Sequence, residues 1–175
     1  SGGDIWGTAD QFHYAYRTLV GDGEIIAQLT SLTNTTSWGK TGLMIRAGLT
    51  TPSRHAMVMM TGGNGVGFEW RDTDGASTTN KTGTSTVPPR WLRLVRQGDQ
   101  FQGYESADGR NWTLVKQVSI TMPVTVYVGL ANSSHDNSRL ATATFENVSI
   151  QDYSLTDIQA PTMPGGVSAI AGSDT

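Results

Sequence analysis

Cysteine is absent from the 175 residues, which removes three classes of chemistry at once: a disulfide framework, a thiolate metal site and a cysteine nucleophile. Basic charge is scarce too. Lys and Arg number 12 against 15 Asp and Glu, a net charge of -3, so there is no basic footprint for a nucleic-acid backbone and no nucleic-acid partner is expected. Nor is there an apolar run of about 18 residues, so no helical membrane span is expected. The opening SGGDIWG lacks the charged and apolar regions of a signal peptide; the expectation is that the sequence starts after any export signal. Amphipathic helical periodicity is missing as well. Charged residues are 15%, Gly numbers 21, and Thr and Ser are abundant, a composition that favours short strands and turns over helices.

What is present is alternation. TGLMIRAGL at 41–49, HAMVMM at 55–60 and VGFEWR at 66–71 read as three consecutive strands with turn formers between them. Period-two counting places Leu43, Ile45, Ala56, Val58, Met60, Val66, Phe68 and Trp70 on a core face. Met44, Arg46, His55, Met57, Met59, Gly67, Glu69 and Arg71 fall on the opposite face. The second face mixes an apolar floor with strong hydrogen-bonding groups, a composition suited to a ligand platform.

The same counting over DQFHYAYRTL at 10–19 turns Phe12, Tyr14 and Tyr16 toward the core. GDG at 21–23 then predicts a hairpin to an antiparallel partner over 24–32. Residues 33–40 are read as a polar loop carrying Trp38 and Lys40 to the edge of the central strands. After Arg71 an exposed excursion is expected, with a short edge strand around 78–83. Hairpin-linked strands follow from residue 90 to residue 150, about ten strands in all, with Leu92, Leu94, Val126, Val128 and Phe145 in the core. Many short antiparallel strands in one domain imply two packed sheets, an all-β jelly-roll sandwich. Residues 1–155 are assigned to it. The segment 156–175, with its Pro and Gly and no aromatic residue, reads as a linker cut from a longer protein.

GDGEIIAQL at 21–29, WGKTGLMIR at 38–46, RHAMVMMTGGNGVGFEWR at 54–71, WLRLVRQGDQFQGYESADGRNW at 91–112 and YVGLANSSH at 127–135 resemble the concanavalin A-like accessory domains of secreted bacterial multidomain proteins. The resemblance covers roughly residues 4–153 and is more specific for fold than for function. QAPTMPGGVSAIAG in the tail resembles the approach to a fibronectin type III domain. The resemblance implies a secreted, extracellular, monomeric module tethered to catalytic or fibronectin type III domains and binding an oligo- or polysaccharide.

The candidate chemistry is therefore weighed as binding against catalysis. Glycoside hydrolysis needs two facing carboxyl groups, ~5–5.5 Å or ~6.5–9.5 Å apart, and FEWRDTDG at 68–75 departs from the paired-carboxylate run of related hydrolases. Arg71, two positions from Glu69, is expected to lower that carboxylate's pKa, where a general acid needs it raised. His13, His55 and His135 have no nucleophile-elbow context. Arg46, Glu69 and Arg71 are the principal sugar-binding candidates, because guanidinium forks and a carboxylate supply directional hydrogen bonds. Trp38 and Tyr127 are candidates for stacking on sugar C–H faces, and His135 for a loop contact. The competing reading of the charged trio is a surface salt-bridge ladder of little energetic weight. Trp6, Trp70, Trp91 and Trp112 are assigned to packing. No cofactor is expected. Asp72 with Asp74, and Asp136 with Asn137, are loop pairs able to hold calcium, although such residues more often cap turns. The alternatives to a binding module are a hydrolase domain and a structural or adhesion spacer.

Overall fold

Alternating apolar residues bury one face of a strand, and two such faces laid together make a sandwich. The computed structural model describes residues 2–33 and 35–153 and shows this arrangement. A six-stranded sheet has the order β3 (His13–Val20), β12 (Thr125–Ser133), β5 (Lys40–Arg46), β6 (His55–Thr61), β7 (Gly65–Arg71), β8 (Thr79–Thr82). A five-stranded sheet has the order β11 (Thr113–Ser119), β10 (Gln100–Ser106), β9 (Arg90–Gln97), β4 (Gly23–Leu32), β13 (Ala143–Asp152). All pairings are antiparallel. A small hairpin of β1 (Asp4–Trp6) and β2 (Ala9–Gln11) pairs only with itself.

Between the sheets lie Leu43, Ile45, Val58, Phe68, Leu92, Leu94, Val126 and Val128, all fully buried, with Phe145 partly buried against them. The expected phase of β5, β6 and β7 therefore holds. The sheets approach closely at Gly103, where a Cβ would stand 2.6 Å from Phe68 Cε2 and 3.1 Å from Val58 Cβ. The phenyl ring occupies the space that any larger residue on β10 would need.

Three expectations fail in the first third of the chain. The predicted strand over 10–19 is broken at Phe12 into β2 and β3. Within β3 the phase is inverted, because Leu19 enters the inter-sheet core whereas Phe12 and Tyr14 pack on the opposite side of the sheet. The Tyr14 hydroxyl donates to the carbonyls of Met44 (3.0 Å) and Tyr127 (2.9 Å), partners that the dry inter-sheet core would not have offered. Finally, β3 and β4 do not pair with one another. Gly21, at φ 72°, turns the chain from one sheet into the other, so β3 pairs with β12 while β4 pairs with β9 and β13. The predicted linker at 156–175 lies outside the described residues.

The largest difference concerns the outer face of the six-stranded sheet, expected to be an open platform. The β1–β2 hairpin lies over it. Ile5 packs on Met44, Met57, Met59 and Ala131, and Arg46 and Arg71 are 2% and 0% exposed. Sequence alternation identified the face correctly and missed its cover.

Candidate functional site

The cover is tied down by one carboxylate. Asp10 on β2 receives Arg71 through both ends of the guanidinium, Nη1 to Oδ2 at 2.9 Å and Nη2 to Oδ1 at 2.7 Å, and Arg46 Nη2 stands 3.4 Å from Oδ2. Arg71 places its remaining N–H groups on the carbonyls of Ala76, Ser53 and Gly7 and on Thr78 Oγ1. All of its donor directions are occupied within the protein. Burial pushes the Asp10 pKa up, against the pull of both guanidinium groups. His55, wholly buried beside them, is held down to about 3 by desolvation first and by Arg71 and Arg46 second, so it is neutral at ordinary pH. Its Nε2 has no hydrogen-bond partner among the described residues.

Six residues along β5 from Arg46, at the other end of the strand, a second polar chain runs to the surface. Lys40 Nζ donates to Asp4 Oδ1 (2.8 Å) and to the Ile5 carbonyl (2.9 Å), and lies 3.0 Å from Glu69 Oε1. Asp4 Oδ2 in turn meets His135 Nε2 at 3.2 Å. Glu69 is 0% exposed; Lys40 pairs with its Oε1, and Oε2 has no hydrogen-bond partner among the described residues. Desolvation raises its pKa to about 7 despite Lys40. The expectation that Arg71 would lower this pKa is not met, because Arg71 is engaged by Asp10.

These groups line a cavity of about 410 Å³ bounded by Asp4, Trp6, Trp38, Lys40, Glu69, Asn80 and His135. Trp6 is 44% exposed and Trp38 41% exposed, an uncommon degree of exposure for the most apolar-rich side chains. Asn80 is the cross-strand partner of Glu69. Lys40 sits 5.1 Å from the Trp6 ring centroid, a cation–π contact that steadies the indole. The Trp38 loop is fastened by bonds from Gly63 N and Asn64 Nδ2 to the Ser37 carbonyl. His135 stands on a left-handed backbone, φ 54°, beside Ser133 and Ser134, whose hydroxyls both donate to the Gly2 carbonyl.

Of the residues singled out from the sequence, Glu69, Trp38 and His135 are brought together here. Arg46 and Arg71 are at the Asp10 cluster instead, and Tyr127, opposite Arg46 in register, packs edge-on to Tyr16 at 5.4 Å, away from this cavity. Asp4, Lys40 and Asn80 are not among the sequence candidates, and Trp6, assigned from the sequence to packing, is instead 44% exposed in the cavity wall. Three-residue strands carry too little periodicity to reveal that Asp4 and Trp6 fold over a sheet face, and Lys40 reads from the sequence as a loop-edge residue. The two calcium candidates have other engagements: Asp74 accepts from Arg54 N and Asp136 from Ser138 N and Oγ. Among the described residues no three His, Asp or Glu side chains gather as a metal-ligating group.

No protein-family model matches the sequence, and no curated protein sequence matches it. Solved structures do share the fold. One is a functionally unknown protein from Saccharomyces cerevisiae, TM-score 0.70 and 14% identity, with 86% of this chain and 83% of that one covered. A carbohydrate binding module, CBM66, from Bacillus subtilis gives a TM-score of 0.58 at 20% identity over 82% of this chain and 83% of that one. A GH43 protein from Bacillus licheniformis gives 0.59 at 12% identity, over 71% of this chain and 26% of that one. At these identities the likeness is one of architecture, a two-sheet β-sandwich.

Proposed function

We propose that the domain is a non-catalytic carbohydrate-binding module of a secreted polysaccharide-active enzyme, and that the sugar enters the cavity between Trp6 and Trp38. The observation that carries this reading is Glu69, a buried carboxyl group whose Oε2 has no hydrogen-bond partner among the described residues, in the wall of a cavity flanked by two half-exposed indoles. A buried acceptor left unsatisfied costs ~1–3 kcal/mol, and sugar hydroxyls are the donors that relieve it. The Asn80 amide can both donate and accept, and the indole faces offer an apolar plane to sugar C–H groups. Lys40 positions Glu69 and Asp4, and its own contacts stay within the protein. Arg71 acts one step removed, by holding the hairpin that supplies Asp4 and Trp6. The fold shared with a solved carbohydrate binding module supports the reading without deciding the ligand.

The first test is a glycan array on the whole chain. Specific retention of a glycan family is expected; a blank array over neutral and acidic glycans contradicts the proposal and leaves a spacer role.

One observation favours a hydrolytic second reading. Raised to about 7, Glu69 is divided between its protonated and ionised forms at neutral pH, the range in which a general acid works. Yet it shares the Lys40 ammonium with Asp4, closer than the ~6.5–9.5 Å that an inverting pair leaves for water, and an ammonium between two carboxylates blunts either as a nucleophile. Reducing-end release from a polysaccharide panel, abolished in Glu69→Gln, would establish the hydrolytic reading against the binding one.

A further inference from the structure

On the other side of the β1–β2 hairpin from the Trp6 cavity lies a separate cleft of about 370 Å³, lined by Asp10, Gln11, Phe12, Tyr14, Tyr16, Arg46, Leu49 and Thr51. It shares no lining residue with the first cavity. Its wall is aromatic. The rings of Phe12, Tyr14 and Tyr16 follow one another at 5.6 and 5.2 Å, and the ladder ends on Tyr16, 49% exposed, near Leu49, also exposed.

Its floor is cationic. Arg46 is 2% exposed, with Nε on the Gly48 carbonyl and Nη2 on the Thr50 carbonyl, each at 2.7 Å. Nη1 has, among the described residues, the Met44 thioether sulfur at 3.9 Å, and the guanidinium lies 5.1 Å from the Phe12 ring centroid. The charge count around it does not close. Two guanidinium groups, Arg46 and Arg71, share the single carboxylate of Asp10, and His55 adds no negative charge. The next carboxylate, Asp74, is engaged by Arg54. A buried cation whose counter-charge is shared is costly: Arg46 divides Asp10 with Arg71, its Nη2 3.4 Å from Oδ2, and it borders the cleft.

We propose that this cleft is a second binding site, for a sugar ring bearing a carboxylate, in which the Arg46 guanidinium that lines it receives the carboxylate and Tyr16 the apolar face of the ring. The carboxylate supplies the missing counter-charge in a charge-assisted bond, and the tyrosine face gives the stacking plane. The cleft volume is in the range of small-ligand sites. The carboxylate half of the proposal stands on the local charge imbalance alone; the sugar half rests on the carbohydrate reading above, and the two are separable by experiment.

The test is an NMR shift titration of the whole chain with methyl glucuronide, methyl glucoside and acetate. The glucuronide is expected to bind at least tenfold more tightly than the glucoside or acetate, to shift the amides of Tyr16, Leu49 and Thr51, and to weaken with added salt. Tyr16→Ala, an exposed change that leaves the fold intact, is expected to weaken it at least fivefold, while Trp38→Ala leaves it unchanged; Arg46→Lys, if it folds, loses the preference over the glucoside. Equal binding of glucuronide and glucoside, or shifts confined to Trp6 and Trp38, would overturn the site. Acetate binding as tightly as the glucuronide would overturn its assignment to a sugar. None of these outcomes depends on whether a neutral glycan occupies the first cavity.

Discussion

Asp10 and Arg71, 61 residues apart, meet as a fully buried bidentate pair with Nη2 2.7 Å from Oδ1. This pair converts the outer face of the six-stranded sheet from an open surface into two cavities separated by a hairpin. Removing one partner of a buried pair strands the other at a cost of ~3–5 kcal/mol. Asp10→Asn is therefore expected to lower stability by that order in chemical denaturation, and to loosen Trp6 as well, seen as a red-shifted indole emission at low denaturant. A loss below 1 kcal/mol would mean that the hairpin is held by Ile5 and its methionine floor alone.

The core makes a second expectation. Phe68 is fully buried and packs directly against Gly103 of the facing sheet. Phe68→Ala should cost about 3–5 kcal/mol, as truncation of a buried aromatic does. Gly103→Ala, which drives a methyl into the same ring, should be less damaging in a Phe68→Leu background than alone, by a double-mutant cycle. Additive effects would place the ring elsewhere.

The inner faces of β5, β6, β7, β9 and β12 were legible because strictly alternating apolar residues on central strands have one low-energy phase. β3 was not, since it is an edge strand with aromatic residues on one side and Leu19 alone as a large aliphatic anchor on the other, so alternation assigns the larger rings to the core. The site was half legible. Glu69, Trp38 and His135 stood out as polar or aromatic residues in telling places, but the roles of Arg46 and Arg71 depend on Asp10, whose contact with them is made across the fold rather than along the chain. Trp6 sits in a three-residue strand, too short for any period to show that its ring is half exposed.

Stability should respond to pH through two opposed groups. Glu69, raised to about 7, binds a proton in the folded state that the unfolded chain releases near 4.5, so its contribution is full below 4.5 and is lost as pH rises to about 7. His55, lowered to about 3, behaves oppositely: the unfolded chain takes up a proton below 6.5, so stability is lost as pH falls from 6.5 toward 3. Between 4.5 and 6.5 the two slopes offset one another. Glu69→Gln should uncover the acid-side loss in a plot of Tm against pH, and His55→Gln should uncover the neutral-side loss. Parallel curves for both variants and the parent would show that neither group is buried as described.

The central claim is that Glu69 and Trp38 hold a sugar in the first cavity, and its most direct test is calorimetric titration of Trp38→Ala and Glu69→Gln with the glycan that the parent chain retains on the array. Each variant is first checked for an unchanged fold by circular dichroism. Losing the stacking plane, or exchanging the buried carboxylate for an amide, is expected to weaken binding by about 1–3 kcal/mol, roughly five- to 150-fold in Kd. Full affinity in both variants would contradict the account and place the glycan outside the Trp6 and Trp38 cavity.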